Sequence, residues 1–244
     1  MRLYNGSYME KVGSSKIYKQ NHVGVTRMHP GDLKRSPDES FSNSSNNTLV
    51  FIDDGFLAKL SKYLGHGKYL SFDRVMFAKN LAKKQNLNCE NIFYYTAPPF
   101  QSSKPTAEEE KRKKGYDNFI KELLKNPEVI VREGRVQRLK TGNSFIYKQK
   151  AVDSLAIIDL MSIPMKYPKI HKIILLSSDS DFVPAIEAIK QFNIKTILCT
   201  YYSKKRNTNF SRSNHLIKSV YKYVLLTIDD FNKSPSIKSG EKIW

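Results

Sequence analysis

Short apolar runs alternate with stretches of helical spacing over positions 49–228. Leu49-Val50-Phe51-Ile52 and Ile173-Ile174-Leu175-Leu176 are apolar at every position, the mark of strands covered on both faces. Runs at 91–96, 128–132, 195–199 and 223–228 predict further strands, and Ser144-Phe145-Ile146-Tyr147 predicts an edge strand of a hairpin. Between them the spacing predicts helices over 56–64, 73–85, 106–124, 153–161, 185–189 and 214–220. Strands that alternate with helices give an α/β fold: a three-layer α/β/α sandwich around a mainly parallel central sheet, wound right-handed.

Two of these strands run straight into acids. Phe51-Ile52 leads to Asp53-Asp54-Gly55, and Leu176 leads to Ser177-Ser178-Asp179-Ser180-Asp181-Phe182-Val183-Pro184. Pro184 suits a first helical turn, where its missing N–H has no partner to lose. Asp181 is the expected cap of that helix, with Asp179 just beyond the strand. Taken alone, such an Asp-x-Asp is either a helix cap or half of a cation site. In a parallel sheet the C-terminal strand ends share one edge, where ligands bind. Asp53 and the pair Asp179/Asp181 meet there if their strands are neighbours. Asp153, in the first turn of the helix at 153–161, joins them from the side. Carboxylates this close repel, and a divalent cation is the natural compensation. Asp159 lies six residues on, about 240° around an ideal helix, so it does not share a face with Asp153.

Composition changes the picture in one direction. The chain has 244 residues and a formal net charge of +18, a self-repulsion normally tolerated for a polyanionic partner. Nucleic acid comes first and an anionic membrane surface second. The membrane reading is weak, because the Lys and Arg are spread over loops without a basic amphipathic helix. No apolar run approaches the roughly 18 residues that span a bilayer, and positions 1–6 lack the apolar core of a signal peptide. Two cysteines, Cys89 and Cys199, form neither a disulfide framework nor a zinc site. A soluble, cytoplasmic protein is expected. Residues 1–47, rich in Ser, Asn, Gly and Lys, read as a flexible basic and polar extension, 48–231 as the folded domain, and 232–244 as a polar tail.

At this point the residues resemble a family. Phe51-Ile52-Asp53, Tyr94-Tyr95 followed by Pro98-Pro99, Lys150-Ala151-Val152-Asp153 and the Ser177-to-Pro184 corner occur in the order of the NYN domain, a branch of the PIN-like nuclease superfamily. The likeness covers about 49–228. It implies a parallel α/β/α sandwich and a metal-dependent endoribonuclease that hydrolyses RNA phosphodiesters with Mg²⁺ or Mn²⁺. Carried over by position, the catalytic and metal-binding acids are Asp53, Asp153, Asp179 and Asp181, with Asp159 at a position that often holds an acid. Lys150 and Ser177 flank those acids. With Lys204, Lys205, Arg206 and Arg212 in a basic loop, they are the expected substrate contacts. Tyr94, Tyr95, Tyr201 and Tyr202 are either core or platforms for unpaired bases. The departures are Phe56 where the family often has Asn, Asp54 for a small residue, and Ala151 and Ser178 for glycines. Asp54 is either an added ligand or simply exposed. The expected partner is RNA, single-stranded or structured, and a homo-oligomer stays open.

Two other readings compete. A non-catalytic RNA-binding or scaffold protein with a vestigial site would share the charge, but four retained acids argue against it, since buried carboxylates without purpose cost stability. Asp179-Ser180-Asp181-Phe182-Val183 also resembles the start of haloacid-dehalogenase-like phosphatases, and Ile228-Asp229-Asp230 their late acidic pair. That reading leaves Asp53 and Asp153 unexplained.

Overall fold

The computed structural model of the protein describes residues 46–142, 144–203 and 210–236. The predicted extension at 1–47, apart from its last two residues, lies outside the described residues. So do Lys204, Lys205, Arg206 and the end of the predicted tail.

Six strands form one parallel sheet. They are β1 (Asn47–Asp53), β2 (Asn88–Thr96), β3 (Val129–Glu133), β6 (Lys172–Leu176), β7 (Lys195–Thr200) and β8 (Lys222–Leu225). Their spatial order is β3-β2-β1-β6-β7-β8, so β1 is central. The chain winds outward from β1 to β3, returns to β6 beside β1, and winds out the other way. The β1–β6 seam is thus the topological switch point, where open α/β sheets place their ligands. The expected α/β/α sandwich with a parallel central sheet is what the chain forms.

The continuous apolar runs are explained by cover on both faces. Val50 and Ile52 point to one layer, with α1 (Asp54–Leu64), α2 (Arg74–Lys84), α3 (Ala107–Leu123) and α7 (Ile228–Asn232). Leu49 and Phe51 point to the other, with α4 (Val152–Lys166), α5 (Val183–Lys190) and α6 (Asn214–Ser219). The Phe51 and Phe93 rings stack at 4.7 Å between centroids. Each such buried side chain contributes about 1.5–3 kcal/mol relative to exposure.

Three elements differ from the pattern read in the sequence. The segment after Glu133, basic and without clear period, is a strand, β4 (Arg135–Thr141), paired antiparallel with β5 (Ser144–Lys150). Its residues are almost all exposed, so no buried face wrote a period into it. The last strand stops at Leu225, because Thr227 and Asp230 form a capping box that opens α7. The chain beyond stays packed at least to Ser234, which is fully buried and hydrogen-bonded to the Asn80 side chain. The helix predicted over 153–161 runs on to Lys166, with Pro164 inside it near its end.

Candidate active site

Asp53 is the last residue of β1 and the N-cap of α1. Its Oδ1 accepts the Phe56 N–H at 3.1 Å, and its Oδ2 accepts the Ser177 hydroxyl at 3.1 Å. Ser177 follows β6, the neighbour of β1, because Ile52 is in register with Leu176. The Ser177 Oγ also accepts the Asp179 N–H at 3.1 Å, and Asp179 Oδ1 accepts the Asp181 N–H at 2.9 Å. One hydroxyl thereby ties the acids of β1 to those of the corner after β6. A short 3₁₀ turn (Ser180–Phe182) separates that corner from α5, and Asp179 caps it. The expected cap, Asp181, is instead exposed and free of that duty, because the turn starts one step earlier than a regular α-helix would.

Asp153 enters from the first turn of α4, as its helical position implied. Burial, then the charges of Asp153 and Asp54, push the Asp53 carboxyl up to about 6, against the pull of its two hydrogen bonds. Desolvation first, then the charges of Asp179 and Asp181, push Asp153 up as well. The four carboxylates therefore share one field at the switch point.

Among the described residues no three His, Cys, Asp or Glu side chains are gathered closely enough to hold a metal ion by themselves. The donor chemistry still fits a hard cation. All four groups are carboxylates, Asp53 and Asp153 are pushed up by the acids beside them, and Mg²⁺ commonly keeps several waters while taking only one or two protein carboxylates.

Of the expected substrate contacts, Lys150 and Arg212 are exposed. Arg212 lies over the Tyr202 ring, beside a shallow depression also lined by Ser178, Thr200 and Ser213. Ser177 is a correction: it is 0% exposed, so it positions the acids and cannot touch a substrate. Of the two readings open for Tyr94 and Tyr95, core or base platform, the structure gives the core, since both are buried. Burial raises both phenols far above their ordinary range. Tyr201 packs against Tyr63 and Phe210. Only Tyr202, among the four, keeps company with an exposed cation.

Asp54 is not simply exposed. Its carboxylate accepts the Tyr94 hydroxyl and, at 3.0 Å, the Thr96 hydroxyl. Asp159 is buried and takes a bidentate ion pair from Arg132 at 2.8 and 2.9 Å, plus the Tyr95 hydroxyl at 3.1 Å. It anchors α4 to β2 and β3 and stands apart from the acids. Phe56 packs edge-on against Phe210 and contributes only its backbone N–H to the site. Asp230 is occupied by Lys84 and the α7 cap, which removes the phosphatase-like acidic pair from consideration.

Gln149 of β5 was not foreseen. A Cβ on Gly55 would lie 3.2 Å from Asp53 Oδ1 and 3.3 Å from Gln149 Oε1, so the amide borders the site. Nothing in its sequence neighbourhood marks it, because its place depends on the β4–β5 register.

Comparison with curated proteins returned no match. Comparison with protein families matches the NYN domain over residues 47–223, from the first strand to the last. That span holds the switch point, all four acids and the hairpin beside them, and with the parallel sheet it decides the matter: the chain belongs to the NYN domain family, whose members are generally PIN-like nucleases.

Proposed function

We propose that the protein is a divalent-cation-assisted endoribonuclease that hydrolyses RNA phosphodiesters at the β1–β6 switch point. The observation that carries this reading is the convergence of Asp53, Asp153, Asp179 and Asp181 from three distant segments: the Ser177 hydroxyl bridges Asp53 and the Asp179 backbone, and Asp53 and Asp153 are both pushed up by neighbouring acids. Asp53, Asp153, Asp179 and Asp181 would hold Mg²⁺ or Mn²⁺ directly or through water. When bound, such an ion supplies positive charge to the phosphodiester oxygens and favours ionisation of a nearby water.

The chain's own residues do the rest. Ser177 and the Phe56 N–H fix both oxygens of Asp53, so its carboxylate is preorganised rather than free to rotate. Asp153, raised above an ordinary Asp, accepts the proton of the attacking water at its carboxylate. Lys150, three residues before Asp153, and Arg212, beside the depression that Ser178 lines, take phosphates of the substrate backbone. The competing reading, RNA binding without cleavage, is favoured by the +18 charge alone.

The test is cleavage of a labelled single-stranded RNA with Mn²⁺, with Mg²⁺ and with EDTA, beside Asp179→Asn. Metal-dependent cleavage lost in the variant supports the proposal. Salt-sensitive RNA binding without cleavage under either metal transfers the protein to the binding reading. Equal cleavage by both proteins moves the site elsewhere.

A further inference from the structure

We infer that the β4–β5 hairpin is a guide arm that delivers unpaired RNA to the acids, with bases stacked on Tyr147 and Phe145 around Arg138. The inference rests on the ribonuclease reading for its substrate, but not for its test. The ribbon carries Arg135, Arg138, Lys140, Lys148 and Lys150, and the sequence has no acidic residue from 134 to 152. Arg135 stands directly opposite Lys150 in the register. Like charges facing each other across two strands destabilise the pair, and a two-stranded ribbon has little stability to lose. A polyanion is the partner that reverses this penalty.

Paired residues of an antiparallel ribbon point to the same face, and faces alternate along each strand. One face therefore holds Val136 with Gln149, Arg138 with Tyr147, and Lys140 with Phe145. The near end of that face is anchored, since Val136 packs on the core and Gln149 borders Gly55 and Asp53. Farther out, the Arg138 guanidinium lies 4.5 Å from the Phe145 ring centroid and 4.7 Å from that of Phe100. Tyr147 meets Phe100 at 5.6 Å. These contacts stiffen the arm, yet Phe145 and Tyr147 remain 50% and 52% exposed. Half-open rings beside cations, on a track that ends at the acids, suit bases that are free to stack. A duplex keeps its bases paired and gives the rings nothing to hold, so the arm selects unpaired strands.

The experiment measures binding of a labelled single-stranded oligoribonucleotide to the full chain in EDTA, so that cleavage plays no part. The variants are Tyr147→Ala with Phe145→Ala, and separately Arg138→Gln with Lys140→Gln, the two cations on the same face. The aromatic variant should lose roughly tenfold or more in affinity for the single strand, with little change for a blunt RNA duplex. The charge variant should lose about 0.7 in log–log salt slope for each phosphate contact removed. An unchanged single-strand affinity in the aromatic variant, with thermal unfolding as in wild type, would overturn the inference and leave the face to a protein contact. So would equal loss on duplex RNA. If both variants bind as expected while wild type cleaves no RNA with any metal, the arm stands and the nuclease reading falls.

Discussion

At the scale of single residues, Asp53 is held between two demands. Its hydrogen bonds and capping role favour the carboxylate, while burial and neighbouring acids favour the acid form and win, giving a value of about 6. A carboxyl raised on folding binds its proton more tightly in the folded state, so stability falls as pH rises from about 4 to about 6. In EDTA, Asp53→Asn, which keeps the cap on the Phe56 N–H but gives up the acceptor for the Ser177 hydroxyl, should flatten that slope to what Asp153 leaves and be more stable than wild type at pH 7 by about 1–2 kcal/mol. Denaturant titration across pH 4–7 measures both, and a destabilised variant would mean the carboxylate is better compensated than its neighbours indicate. Ala151 shows a second kind of tension. It sits at φ 67° immediately before α4, a left-handed position that L side chains avoid at about 1–2 kcal/mol. Ala151→Gly should raise stability by about 0.5–1 kcal/mol after the added freedom of the unfolded chain is subtracted, read as a higher melting temperature.

At the scale of elements, α4 is where the candidate site and the architecture share one helix. Asp153 faces the acids from its first turn, and Asp159, two turns inward, locks the helix to β3 through Arg132. Asp159→Asn should cost about 2 kcal/mol, less than for a fully enclosed pair because the Arg132 side chain is 40% exposed and can turn to water. The denaturant midpoint should shift while the pH dependence assigned to Asp53 stays. The helices and the sheet were legible because each buries a face and so writes a period or an unbroken apolar run. The acids were legible because they follow such runs at the strand ends. Arg132 was legible only as the end of a predicted strand, since an ion pair 27 residues apart leaves no local trace. Tyr94 and Tyr95 were open to two readings, because a strand's aromatic residue looks the same in sequence whether it packs or waits for a base. The hairpin at 135–150 hides for the opposite reason to the core strands: it buries almost nothing.

At the scale of the whole molecule, charge and topology set the behaviour. No helix among the described residues is long and apolar enough to cross a membrane. A net charge of +18 predicts that RNA affinity falls steeply with salt, and filter binding between 50 and 200 mM salt should show a log–log slope near −0.7 for each phosphate engaged. A flat response would mean that stacking, not charge, dominates. The placement of β1 at the centre of the sheet has a further consequence, which concerns birth rather than chemistry. Asp53 and Ser177, joined by one hydrogen bond, are 124 positions apart. During synthesis at about 5–20 residues per second, β1 waits roughly 6–25 seconds for its partner strand to be made. Until then the first half of the chain holds Asp53 without Ser177 to orient it or the later acids to complete the field. On the proposed function, a nascent chain holds an incomplete site while its message is still being read, and the four acids come together only when the sheet closes on its own first strand.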